Sequence, residues 1–184
     1  MGGSKANAGV QATARRLGEL IAGKGWILLN GGRNAGVMAA SAQGAKEAGG
    51  LVIGILPDAT DHSASPHLDV AICTDMGDAR NVINVLSSDV VIACPGRMGT
   101  LSEVTLALNN GKRVILLGFE LCDPPFRKYI GMGQLTTAVT PEDAVNQVAD
   151  ALKGRTLLSI GGASTRMALK GNQAPKSGDR GHPP

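Results

Sequence analysis

Asp89-Val90-Val91-Ile92-Ala93-Cys94-Pro95-Gly96-Arg97-Met98-Gly99-Thr100-Leu101-Ser102-Glu103 decides the fold. Its first half is a short, continuous apolar run rich in β-branched residues, which reads as a strand buried on both faces. Its second half is a glycine turn that opens a helix. Strand, glycine turn and helix in that order form the repeating unit of a parallel α/β sheet.

The same alternation extends in both directions. Strands are expected at Trp26 to Leu29, Leu51 to Leu56, Val70 to Cys73, Asp89 to Cys94, Val114 to Leu117 and Thr136 to Val139. Helices are expected at about Ala8 to Ala22, Gly36 to Ala48, Asp78 to Leu86, Leu101 to Asn109 and Glu142 to Leu152. The apolar runs do not alternate, so helices should cover both sheet faces. The expected architecture is a single-domain, doubly wound, Rossmann-like parallel sheet over residues 1–153. Residues 154–184 are rich in Gly, Ser, Lys and Pro without periodicity and read as a flexible basic tail. Met1-Gly2-Gly3-Ser4 looks like the turn that follows a first strand. Either that strand lies upstream, or these residues are a remnant of expression on a truncated chain.

Composition removes several function classes. The 184 residues include 43% hydrophobic and only 2% aromatic side chains, which leaves almost nothing on which nucleic-acid bases could stack. The net charge of +3 is concentrated in the tail. From Lys153 onward six basic residues face the single acid Asp179, leaving Met1 to Leu152 at −2. A near-neutral body is not a basic groove, so nucleic acid is not an expected partner. No run approaches the roughly 18 apolar residues of a membrane span, and no signal peptide opens the chain. The three cysteines Cys73, Cys94 and Cys122 form no metal-binding spacing and cannot all pair, which fits a reducing cytoplasm. Cys73 and Cys94 end apolar runs and are expected to be small buried residues. His62 and His67 lack a third ligand nearby, so no metal site is expected.

Two glycine turns carry the candidate chemistry: Asn30 to Gly36, and Pro95 to Thr100. Neither matches a P-loop or a dinucleotide fingerprint. In a parallel sheet both fall at the carboxyl edge, where helix N-termini present free N–H groups to an anion. Thr100-Leu101-Ser102-Glu103 also has the spacing of a capping box, with Thr100 and Glu103 exchanging hydrogen bonds. A cap alone does not require Gly96 and Gly99 ahead of it, whereas close approach to a phosphate does. Arg80, Asn84 and Ser87 fall on one helical face, which is either solvated or an anion ligand through Arg80.

Pro95 to Glu103 resembles the P-G-G-x-G-T-x-x-E motif of the LONELY GUY (LOG) family, part of the lysine decarboxylase-like SLOG superfamily. Gly31-Gly32 through Gly36-Val37-Met38 resembles its upstream turn, and Gly49-Gly50 through Ile53-Gly54-Ile55-Leu56-Pro57 its next strand. The resemblance implies hydrolysis of nucleoside 5′-monophosphates at the N-glycosidic bond, with Arg80 and Glu103 as catalytic residues. Two departures shift the expectation. Asn81 stands where that family has Lys, and Arg97 where it has Gly.

Ala79-Arg80, Ile83-Asn84, Leu86-Ser87-Ser88 and Gly25 to Leu29 look most like the branch containing molybdenum cofactor carrier proteins. The resemblance therefore implies a cytoplasmic, homodimeric or larger binding protein for a phosphorylated nucleotide-like or pterin ligand. Molybdenum cofactor is then a possible bound ligand, with no cofactor required for activity. Gly31, Gly32, Arg33, Gly36, Asn84, Gly96, Arg97, Gly99 and Thr100 are the expected ligand-binding residues. Of these, Arg97 and Thr100 join Arg80 in contacting the anion. Turnover of a monophosphate is the alternative.

Overall fold

A computed structural model of the chain describes residues 1–159. Its elements are α1 (Ala8–Gly23), β1 (Leu28–Asn30), α2 (Gly36–Glu47), β2 (Val52–Leu56), β3 (Val70–Cys73), a 3₁₀ turn (Gly77–Arg80) running into α3 (Asn81–Ser87), β4 (Val90–Ala93), α4 (Met98–Asn109), β5 (Arg113–Leu117), α5 (Pro124–Gly131), β6 (Leu135–Ala138) and α6 (Pro141–Ser159). Helix α6 continues past Leu152 to Ser159. The rest of the expected tail lies outside the described residues. Among the described residues no helix is long and apolar enough to cross a membrane.

All strand pairs are parallel, and they form two three-stranded sheets ordered β1-β2-β3 and β4-β5-β6. β1 and β4 do not pair with each other. Met1 lies beside β4, its ammonium donating to the Ile92 carbonyl at 2.7 Å and its own carbonyl accepting from the Cys94 N–H at 2.9 Å. That spacing is one residue of a parallel ladder. Gly3 then reaches across, donating to the Pro95 carbonyl and accepting from the Val37 N–H. Met1 to Gly3 thus join the carboxyl ends of the two half-sheets, at the two glycine turns singled out in the sequence.

The core is aliphatic, as the composition requires. One cluster joins both half-sheets through Leu28, Val52, Ile115 and Leu117, beneath Leu17 and Ile21 of α1 and Val145 and Val148 of α6. On the other face of the second sheet, Val91, Val114 and Leu116 pack against Val104 and Leu108 of α4. Helices α1 and α2 touch backbone to backbone. A Cβ on Gly18 would strike the Ser41 carbonyl, and one on Gly44 the Arg15 carbonyl. Outside the core, ion pairs tie α1 to α2 through Arg15 and Glu47, α1 to α6 through Arg16 and Glu142, and α2 to the residue before β3 through Lys46 and Asp69.

Three sequence expectations are corrected. β3 is exposed along its whole length, because among the described residues it is the edge of its sheet and no helix covers it. Cys73, at its end, is therefore exposed, while Cys94 is buried as expected. Helix α5 had no counterpart in the sequence reading, because Pro124-Pro125 punctuates the chain like a turn. Here the prolines occupy the first helical positions, where no N–H is needed.

These ion pairs lead to a signed pH dependence. Hydrogen bonds from Arg15, Lys46 and Arg16 hold the carboxyls of Glu47, Asp69 and Glu142 below their ordinary values. Such groups favour the folded state above the unfolded pKa, and the contribution is lost as pH falls through the folded one. Melting temperature is expected to drop between pH 5 and pH 3, with a smaller drop in 1 M NaCl, because these pairs are exposed and screened. An equal drop at both ionic strengths would exclude them as the cause.

Candidate functional site

Each glycine turn is held by backbone requirements that can be read off directly. After β1, Asn30 turns its side chain inward, donating to the Met38 carbonyl and the Ser41 hydroxyl and accepting from the Gly32 N–H at 2.8 Å. Gly32 has φ +73° and Gly36 φ +52°, left-handed values that disfavour other residues. Gly32 packs on Gly54 and Leu56, and a Cβ on Gly36 would meet the carbonyls of Gly3 and Ser4. These two glycines shape the turn. The loop after β2 braces it from outside: Arg33, exposed, pairs with Asp58 at 3.3 Å, and Asp58 accepts from Ser63 at 2.6 Å. The Ser63 hydroxyl and the Arg33 guanidinium hold the Asp58 carboxyl below its usual range.

Gly31 serves a different purpose. A Cβ there would collide with Nη1 of Arg80 and come within 2.7 Å of its Cζ, so the guanidinium lies directly on the Gly31 backbone. Arg80 ends the 3₁₀ turn and is only 8% exposed. Its Nε and Nη1 are buried without a hydrogen-bond partner, and it forms no ion pair among the described residues. Burial lowers its pKa, the Glu103 charge opposes that shift, and Arg33 adds to it. A buried cation with empty donors costs several kcal/mol unless something anionic meets it.

Helix α3 is turned inside out. It buries Asn81 and Asn84 together with Val85, and leaves Val82 39% and Leu86 52% exposed. The solvated reading of the Arg80 and Asn84 face is therefore overturned, although Ser87 is exposed as that reading required. Asn84 donates through Nδ2 to Glu103 Oε1 at 3.4 Å, a long contact within the buried site. The Oδ1 atoms of Asn81 and Asn84 are buried without partners. Asn81 escaped the sequence reading. Its signal there was only that it replaced a cation.

The capping box does not form. Helix α4 takes Arg97 as its N-cap and begins at Met98, with no side-chain cap. Thr100 and Glu103 consequently lie inside the helix, both buried, and Glu103 points across to Asn84. The box fails because the glycine turn lets the helix start two residues earlier than Thr100. Arg97 is exposed at φ −106°, an ordinary value, so its replacement of glycine costs the backbone nothing. Gly96 packs on Thr100, whose Oγ1 a Cβ would strike. Gly99 faces open space, with no atom within 4 Å of where its Cβ would stand.

The structure therefore gathers Gly31, Arg80, Asn84 and Glu103 into one buried cluster, and Asn81, next to Arg80 in the chain, is buried as well. Gly99 and Thr100 lie in the uncapped first turn of α4, and Gly96 stands just ahead of its N-cap Arg97. Arg33 and Arg97 stand exposed, and Gly32 and Gly36 support the first turn. Among the described residues, no three His, Cys, Asp or Glu side chains are placed to hold a metal. Gly31→Ala tests the arrangement, since its methyl must displace the guanidinium. Overpacking of this kind costs about 1 to 3 kcal/mol, so a lower melting temperature is expected together with loss of binding to anionic ligands. An alanine variant as stable as the wild type would show that Arg80 does not rest there.

The chain is 49% identical to the molybdenum cofactor binding protein of the phototrophic bacterium Rippkaea orientalis, with a TM-score of 0.75 over 80% of this chain and 91% of that one. It is 39% identical to the molybdenum cofactor carrier protein of Chlamydomonas reinhardtii, with a TM-score of 0.75 over 83% of this chain and 94% of that one. It is also 36% identical over 104 residues to a cytokinin riboside 5′-monophosphate phosphoribohydrolase of Mycobacterium tuberculosis, covering 53% of this chain and about half (54%) of that protein. The family profile that matches spans residues 1–149, both glycine turns and the buried cluster between them, and the chain belongs to the SLOG cluster4 family.

Proposed function

We propose that this chain is a binding protein for a phosphorylated nucleotide-like or pterin ligand, with molybdenum cofactor as candidate cargo. The observation that carries this reading is Arg80, a buried guanidinium with two empty donors and no ion pair among the described residues. An anionic ligand would supply the missing partner, in charge-assisted hydrogen bonds that contribute about 1.5 to 3 kcal/mol each. The uncapped start of α4, at Met98 to Thr100, offers a second set of donors at the same sheet edge. Open space at Gly99 lets a ligand approach that backbone. Arg97, at the rim, can close over a phosphate from solvent. The likeness to two molybdenum cofactor proteins supports cargo of that type.

The same site supports a second reading, hydrolysis of nucleoside 5′-monophosphates, because it holds a buried carboxylate near the cation. In that case Arg80 binds the substrate, and Glu103 stabilises the ribose as it gains oxocarbenium character. Two features favour binding over turnover. Asn81 provides no cation where phosphoribohydrolases of the LOG family have Lys, and Glu103 is already engaged by Asn84.

Isothermal titration with molybdenum cofactor and with AMP, alongside a measurement of free base from AMP, separates the readings. Binding without base release is the expected result. Base release at enzymatic rates would establish the hydrolase, and no binding of either ligand would end both readings.

Two further proposals accompany the first. The outward apolar side chains Val82 and Leu86, with Val70 and Ile72 on the free β3 edge, suit a homodimer, which sedimentation would reveal. The free thiols of Cys73 and Cys122 are exposed and suit a reducing cytoplasm.

A further inference from the structure

The buried cluster holds empty acceptors as well as empty donors. Arg80 is the N-cap of α3, and Asn81 and Asn84 follow in its first turn, within about 100° of arc of it, so the three residues lie on one side of the helix start. All three are more than nine-tenths buried, at 8%, 6% and 5% exposure. Asn84 has its Nδ2 committed to Glu103, which leaves its Oδ1 as the free atom. Asn81 Oδ1 is likewise buried and free. Buried amide oxygens in proteins nearly always accept a hydrogen bond. A bare phosphate ion dianion can satisfy Arg80 but cannot serve two acceptors.

We propose that the Asn81 and Asn84 amide oxygens are specificity acceptors that read hydrogen-bond donors carried on the ligand beside the anion held by Arg80. The inference rests on the anion-binding reading and narrows it. The ligand must carry O–H or N–H groups within about one helical turn of its phosphate, roughly 6 Å along the axis. Sugar hydroxyls meet that requirement, and so do ring N–H groups of a phosphorylated pterin. A site that pairs its buried polar groups with ligand donors rejects analogues that lack them, because the site's own atoms are then stranded. The replacement of a cation by Asn81 has a purpose on this view. It exchanges a second charge for a reader of neutral donors.

The test is titration of inorganic phosphate, ribose 5-phosphate, 2-deoxyribose 5-phosphate and 6-hydroxymethylpterin phosphate against wild type, Asn81→Leu and Asn81→Ala. Leucine conserves volume and alanine covers the case in which leucine does not fit. In the wild type, at least one donor-bearing phosphate should bind ten-fold or more tighter than inorganic phosphate. In the Asn81 variants that ratio should collapse by ten-fold. Loss of the preference for ribose over 2-deoxyribose identifies sugar hydroxyls as the donors, and loss confined to the pterin identifies the ring. A ratio that is the same in wild type and variants would overturn the proposal while leaving anion binding intact. Absence of binding by all four ligands in the wild type would overturn the anion reading beneath it.

Discussion

Arg80→Met is expected to make the ligand-free protein more stable and unable to bind its ligand. The wild-type guanidinium sits on Gly31 with Nε and Nη1 buried and unpartnered, so folding strips its water and returns no hydrogen bond to those atoms. Methionine fills similar length with no charge to desolvate. Exchanging a whole buried ion pair for packed apolar groups has been neutral or stabilising by about 1 to 4 kcal/mol, and here the attraction of the buried Glu103 charge, lost with the guanidinium, takes back part of that gain. At about 2 to 4 °C per kcal/mol for a domain of this size, the melting temperature should rise by several degrees. Ligand reverses the order. At a hundred times its Kd, a ligand adds about 2.7 kcal/mol to wild-type stability and nothing to the variant. Thermal melts with and without AMP or molybdenum cofactor therefore give opposite rankings. A methionine variant that melts below the wild type, or keeps the ligand-induced shift, would remove Arg80 from the site.

Glu103→Gln should keep the fold and change the chemistry. The glutamine carbonyl can still accept from Asn84 Nδ2, and α4 does not depend on residue 103 for its cap. Stability should stay within about 0.5 kcal/mol. Removing the charge that opposes the lowered Arg80 pKa leaves the guanidinium freer to attract an external anion, so affinity for a phosphorylated ligand should rise several-fold. Any base release should fall at least a hundred-fold, the scale of a lost acid–base group. Glu103→Ala is a different matter. It strands Asn84 Nδ2 in a buried site, which costs about 1 to 3 kcal/mol. Wild-type hydrolysis in the glutamine variant would exclude Glu103 from catalysis, and weaker anion binding would show that the carboxylate supports the ligand.

The two glycine turns were legible because their cause is local. Gly32 and Gly36 require positive φ, and a strand followed by glycine and helix puts its turn at the carboxyl edge of a parallel sheet. The capping box was legible and wrong. Thr100 and Glu103 have the spacing of a cap, and nothing within four residues reveals that the helix starts at Met98. At that start Gly96 lies against Thr100 and Gly3, a tertiary approach that only glycine permits. Asn30, which orders the first turn from a buried position, looked like any strand-end asparagine.

The sequence by itself determined the aliphatic core, the α/β alternation and the placement of both turns, because strand and helix periods and backbone preferences act over a few residues. Only the tertiary structure decided which polar residues became chemistry. Arg80 and Asn84 read first as a solvated face and less readily as an anion site, and the choice depended on whether the inner side of α3 met water or protein. It met Gly31 from one half-sheet and Glu103 from the other, segments 49 residues before and 23 after Arg80. Burial is a property of that meeting. A charge becomes a ligand-binding group here because parallel strand order brings two distant sheet edges together and excludes the water that would otherwise satisfy it.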